Sequence, residues 1–203
     1  MKDGIHFTQR WLKGLAIALL LGAPLASADL ITFDDLDPSE GSVSEQSYAG
    51  FNWDSRWGLG DSGMSGFGDA AHSGSQFLFN QGFESNLEIT RDNPFDFMGA
   101  YFASTSNYNN MSFWITLVAY DGQGNKVGEL VDAQINPDFE NQPLWIAADF
   151  TNVSRLVVDA AGGIFAMDSL QFQDTAVSVN EAGGFVLLLI GLGGLWAARR
   201  RVH

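Results

Sequence analysis

Carboxylates dominate the chemistry available to this 203-residue chain. Asp34 and Asp35 close a candidate first strand, and Asp168 lies in the last one. Calcium takes about six to eight oxygen ligands, and carboxylates with backbone carbonyls suit it. The same aspartates are equally suited to capping turns at strand ends. Glu84 and Glu88 share one strand face, but chance supplies such pairs among so many carboxylates, and glycosidase chemistry needs one acid held at raised pKa in a cleft. No catalytic residue is therefore assigned. His72 is the one histidine between the two ends of the chain, which excludes a multi-histidine metal site. It is expected to be solvent-exposed, and it can serve a Ser–His–Asp constellation only if the fold brings partners to it. No nucleophile-elbow sequence is present. Cysteine is absent, which removes disulfides, thiolate zinc sites, iron–sulfur clusters and cysteine nucleophiles together.

Aromatic residues offer the second kind of chemistry. A ring stacks on the apolar face of a pyranose while nearby amides and carboxylates take the hydroxyls. Trp53, Trp57, Trp114, Trp145, Tyr108 and Tyr120 are the possible platforms. Core packing is the default for any one of them. Trp57 and Tyr108 lie in polar, Gly/Asn/Ser-rich context, and these two are the expected glycan-binding residues. Charge narrows the ligand further. Between Asp29 and Thr175 only Arg56, Arg91, Lys126 and Arg155 stand against 22 carboxylates, a net −18. Such a surface repels a phosphate backbone, so nucleic acid is excluded as a partner. Neutral or cationic glycans are favoured over anionic ones.

The elements that must position these residues are strands. Short runs rich in Phe, Val, Ile, Trp and Tyr alternate with Gly/Asp/Asn/Ser clusters, the rhythm of an all-β sandwich. The pattern predicts strands at 30–34, 48–53, 76–80, 86–90, 95–103, 112–120, 126–133, 144–149, 154–159 and 164–172. Phe113, Ile115, Leu117 and Ala119 fall on one face of their strand, with Trp114, Thr116, Val118 and Tyr120 on the other. Asp121–Asn125 reads as a hairpin turn. Gly58–Gly74 holds six glycines in 17 residues and reads as a flexible surface loop, lacking the lysine and the strand–loop–helix context of a phosphate cradle.

The two ends carry export signals. Residues 1–28 read as a secretory signal peptide, with Lys2, Arg10 and Lys13 before an apolar Leu15–Leu21, and Ala26 and Ala28 flanking Ser27 at the cleavage site. Residues 176–203 hold an apolar stretch, 183–198, followed at once by Arg199, Arg200 and Arg201. At ~1.5 Å per residue that stretch is a marginal single hydrophobic helix for a bilayer. A short motif, an apolar helix and an arginine cluster resemble the PEP-CTERM sorting tail of Gram-negative bacteria. The name-giving Val-Pro-Glu-Pro is Val179-Asn180-Glu181-Ala182 here, keeping Val and Glu and losing both prolines. Ala182-Gly183-Gly184 is faintly similar to GlyGly-CTERM tails, the second choice. The PEP-CTERM resemblance implies an exosortase-like protease as partner. It also implies a transient single-pass state in the inner membrane, then release to the cell surface or extracellular matrix.

Residues 29–175, the middle domain, also resemble a jelly-roll type found among PEP-CTERM proteins. Ile31-Thr32-Phe33-Asp34-Asp35-Leu36 matches its opening strand. A Tyr-x-Gly-Phe-x-Trp element follows (Tyr48, Gly50, Phe51, Trp53), and Phe165–Leu170 closes it. In carbohydrate-binding jelly rolls, which the domain resembles in outline, first and last strands lie side by side and often share a structural calcium. That resemblance points to Asp34, Asp35 and Asp168 as its ligands. The expectation is an exported, non-enzymatic, single jelly-roll-like β-sandwich that binds or embeds in extracellular polysaccharide. The alternatives are a hydrolase acting on that polymer and a purely structural matrix component.

Overall fold

The computed structural model describes residues 28–43, 47–106, 110–136, 142–160 and 162–175. The segment up to Ser27 expected to be a signal peptide, the expected sorting tail from 176 to 203 and Tyr108 lie outside the described residues. No helix among the described residues is long and apolar enough to cross a membrane. The described chain is all-β and antiparallel. Its strands are β1 (Asp29–Ile31), β2 (Asn52–Trp53), β3 (Trp57–Asp61), β4 (Gln76–Asn80), β5 (Leu87–Ser104), β6 (Trp114–Tyr120), β7 (Lys126–Gln134), β8 (Leu144–Asp159) and β9 (Phe165–Asp174). Two 3₁₀ turns, Pro38–Glu40 and Gln81–Phe83, are the helical elements described.

One continuous hydrogen-bonded path, β3-β4-β9-β5-β8-β6-β7, makes both layers of the sandwich. It can do so because β5 and β8 each serve twice. Leu87–Thr90 of β5 pairs β8 at Arg155–Val158, while Phe95–Phe102 pairs it at Leu144–Val153. The register shifts between Thr90 and Phe95. Pro94, which cannot donate to a ladder, lies within that exposed break. On β8 the bend carries left-handed residues Asp149 (φ 50°) and Asn152 (φ 58°). Bulges of this kind bend a strand and raise its twist, which lets a sheet fold over itself. The sequence pattern reads each of these strands as two. It separates them where the chain bends rather than where pairing stops.

Folding over encloses the core. Leu87, Ile89, Ile115, Leu117, Ala119, Leu156 and Val158 of one layer belong to the same buried cluster as Phe95, Phe97, Phe102, Phe165, Met167 and Leu170 of the other. The alternation expected on β6 holds: Ile115, Leu117 and Ala119 are buried and Trp114 is exposed. The hairpin turn also forms, with Asp121 Oδ1 accepting Gln123 N at 2.9 Å and Asn125 N at 2.8 Å.

The glycine-rich segment departs from the surface-loop expectation. Trp57–Asp61 is strand β3, paired along its whole length with β4. Beyond it, Phe67 and Ala70 are buried against Phe77, Phe79, Ala103 and Ala166, a second, smaller cluster. Phe67 and Ala70 therefore anchor residues 62–75 on the layer built from β4, β9 and the Phe95–Ser104 part of β5. The glycines at 58 and 60 are explained by that packing, since a Cβ there would press into the rings of Phe79 and Phe77.

Candidate functional site

Chain packing brings a histidine, two serines and two aspartates together. Asp168 stands on β9, opposite Tyr101 of β5, and is buried. Its Oδ2 accepts the backbone N–H groups of His72 and Ser73, each at 2.8 Å. Its other oxygen accepts the N–H of Ser169. Asp34 reaches the same segment from the loop after β1. Its Oδ1 accepts Ser75 N at 3.0 Å and Gln76 N at 3.3 Å, and its Oδ2 accepts the Ser73 hydroxyl at 3.2 Å. Gly74, at φ +47°, turns the chain here, and any side chain at that position would collide with the Asp34 carboxylate. Burial pushes the Asp168 carboxyl above the usual range, and Asp34 nearby adds to the rise; the three N–H donors oppose it.

The three aspartates expected to share calcium do not form a ligand set. Asp34 and Asp168 converge, but their oxygens accept N–H and O–H donors from residues 72–76 and, for Asp168 Oδ1, the N–H of Ser169. Asp35 turns to Tyr48, whose phenol donates to its Oδ1 at 2.5 Å. Desolvation and that carboxylate hold the Tyr48 phenol well above its usual range. Among the described residues no group of three or more acidic or histidine side chains is placed to hold a metal ion. The aspartates act here as they do in turns, gathering backbone donors.

His72 is exposed, as the sequence suggests, and it does acquire partners. Its Nδ1 lies 2.9 Å from Ser169 Oγ, and its ring stacks on Tyr101 with centroids 3.4 Å apart and planes 12° apart. The arrangement has the residue types of a catalytic triad without the geometry. Ser169 is 1% exposed, so its hydroxyl faces no substrate. Asp168 holds the histidine's backbone rather than its ring.

Of the rings expected to bind sugar, Trp57 is corrected. It is wholly buried, wedged edge-on between Trp53 and Phe165 at 6.4 and 5.7 Å, with its indole N–H on the Glu88 carbonyl. Polar sequence neighbours mislead because β3 directs Trp57 and Leu59 inward while its flanking turns remain at the surface. Of the candidate tryptophans, Trp114 on β6 is 48% exposed, and Trp145 is 36% exposed on the outer face of β8. Trp145 pairs across the sheet with Tyr101, centroids 5.3 Å apart and planes inclined by 56°. Gly99 beside them is required. A Cβ there would meet the Trp145 ring at 2.7 Å. His72, Tyr101 and Trp145 thus make one row of rings on the outside of the layer that holds the Phe95–Ser104 part of β5. Gln171 on the neighbouring strand is its polar flank, while Asp168 on that strand is buried beneath His72 and Ser73.

No family model and no curated protein matches the chain. Among solved structures, the chain is similar to the CBM22-1 xylan-binding domain of Paenibacillus barcinonensis Xyn10C. The identity is 12% and the TM-score 0.46, over 77% of this chain and 100% of that one. It is also similar to a cleaved adhesin domain of Lys-gingipain from Porphyromonas gingivalis, at 12% identity and TM-score 0.44, over 74% and 99%. A third is a DUF4465 family protein from Bacteroides caccae, at 14% identity and TM-score 0.37, over 74% of each chain. These are distant likenesses of outline.

Proposed function

We propose that the domain is a non-enzymatic module that binds a neutral glycan on the outer face of β5 and β8. It is exported by its N-terminal signal and sorted by its tail to the cell surface or extracellular polymer. The observation that carries the binding reading is the Tyr101–Trp145 pair. One ring is exposed, its neighbour props it at 5.3 Å, and glycine lies beneath it. A tilted, propped indole beside hydrogen-bonding groups has the make-up of a sugar platform, an apolar face for stacking with polar groups to fix orientation. The net charge of −18 from Asp29 to Thr175 supports a neutral ligand, because an anionic polymer would be repelled.

The test is retention of the full chain on immobilised neutral glycans. Losing one ring contact costs about 1–1.5 kcal/mol, so Trp145→Ala should weaken binding roughly tenfold. The melting temperature should scarcely move, because an exposed ring carries little core packing. If the unaltered chain is retained by no glycan, the structural-matrix reading replaces this one.

A further inference from the structure

We infer that His72 is the hydrogen-bonding half of this glycan site, its imidazole fixed by a serine relay so that it accepts a hydrogen bond from a sugar hydroxyl. The inference rests on the ring-platform reading. The relay follows from counting protons. Ser73 Oγ lies 3.2 Å from Asp34 Oδ2 and 3.4 Å from Asp168 Oδ2. Asp168 Oδ2 already accepts two backbone N–H groups and Asp34 Oδ1 accepts two more, so both carboxylates present acceptor oxygens here and the single Ser73 proton points to them. Toward Ser169, 3.3 Å away, Ser73 must therefore accept, and the Ser169 hydroxyl donates to it. Ser169 has then spent its proton. Its remaining capacity toward His72 is as an acceptor, so the relay assigns the 2.9 Å contact to Nδ1–H donating to Ser169 Oγ; the opposite tautomer requires Ser169 to give its proton to His72 instead of Ser73. A neutral imidazole carries one ring proton. With that proton on Nδ1, Nε2 is a bare acceptor.

The ring cannot turn away to escape this role. Tyr101 holds it face to face at 3.4 Å, and its backbone N–H is tied to buried Asp168. The exposed end of the relay is therefore an acceptor in the same row as the Trp145 ring. Stacking alone tolerates any sugar with an apolar face. A fixed acceptor adds a demand, a free hydroxyl at the matching position, and a site built around a hydrogen bond discriminates against ligands that lack it.

Two measurements test this. Nitrogen-15 chemical shifts of the His72 imidazole in the full chain should report the Nδ1–H tautomer. Ser169→Ala should shift the population toward Nε2–H. Ser169→Gly serves if alanine does not tolerate φ 52° at that position. A wild-type ring protonated on Nε2 overturns the relay. For binding, the probe is whichever of soluble glucan, xylan, mannan or galactan the full chain retains most strongly. His72→Phe, which keeps a ring over Tyr101 and removes both nitrogens, should weaken retention at least fivefold with an unchanged melting temperature. If Trp145→Ala weakens binding and His72→Phe does not, the platform stands and the His72 inference falls. If neither variant changes binding, the platform reading falls and takes this role of His72 with it, while the tautomer still decides whether the relay exists.

Discussion

Asp168 shows how a single carboxylate can organise a surface segment and leave a signature in the pH dependence. Its folded-state pKa is raised, chiefly by burial, so its protonated form is the one the fold favours. The stability it contributes is complete below the ordinary aspartate value of about 4 and is lost as pH rises through the raised value. Asp54 behaves oppositely. Its hydrogen bonds with Arg56 hold the carboxyl below the usual range despite partial burial. Its contribution is present above about pH 4 and is lost as pH falls through the lowered value. Linkage then predicts a melting temperature that rises as pH drops from neutral and turns down only in strong acid. Asp168→Asn should flatten the first limb in thermal melts taken across that range. An undiminished rise in the variant would assign it to relief of the domain's overall negative charge instead.

At the scale of elements, β5 and β8 decide both the fold and the platform. Their bends put the inward residues of two layers into one core, and the straight segments beyond the bends set Tyr101 opposite Trp145. Gly99 lies in that segment at φ +153°, against the Ile146 carbonyl and the Trp145 indole. An alanine there has to displace a ladder carbonyl or the ring, and backbone does not yield cheaply. Gly99→Ala should therefore lower the melting temperature by several degrees, about 1–3 kcal/mol. It should also weaken glycan retention at least as much as Trp145→Ala does. A variant of unchanged stability and binding would mean that the indole is free to move and is no preformed platform.

For the whole molecule, the export proposal makes the sharpest claim. The chain should begin at Asp29 after cleavage behind Ala28 and should lose its tail near residues 179–184. Intact mass of the surface-located or secreted protein checks both ends at once. Arg199–Arg201 still attached in that final form would sink the sorting-tail idea. In the mature protein the first residue would then be the first residue of β1, which pairs with β9 at Phe172. The strand is thus tied into the sheet from its start.

The sequence alone was enough for the class of fold, because strand alternation and turn chemistry are local. Ile115, Leu117 and Ala119 had to share a face, and Asp121 had to gather the turn's N–H groups. It was also enough to exclude thiol and multi-histidine chemistry, since those depend on residues the domain does not have. Locality fails at three places. A strand that bends and continues looks like two strands, as β5 and β8 do. A ring's direction depends on register, so Trp57 in a glycine-rich stretch is core while Trp145 in an apolar one is surface. Finally, Asp34, His72 and Asp168 are far apart in the chain, and their hydrogen-bond partners are mostly backbone N–H groups. Every residue but proline carries that group, so no sequence pattern marks which carboxylates will receive it. Only the folded sheet chooses them.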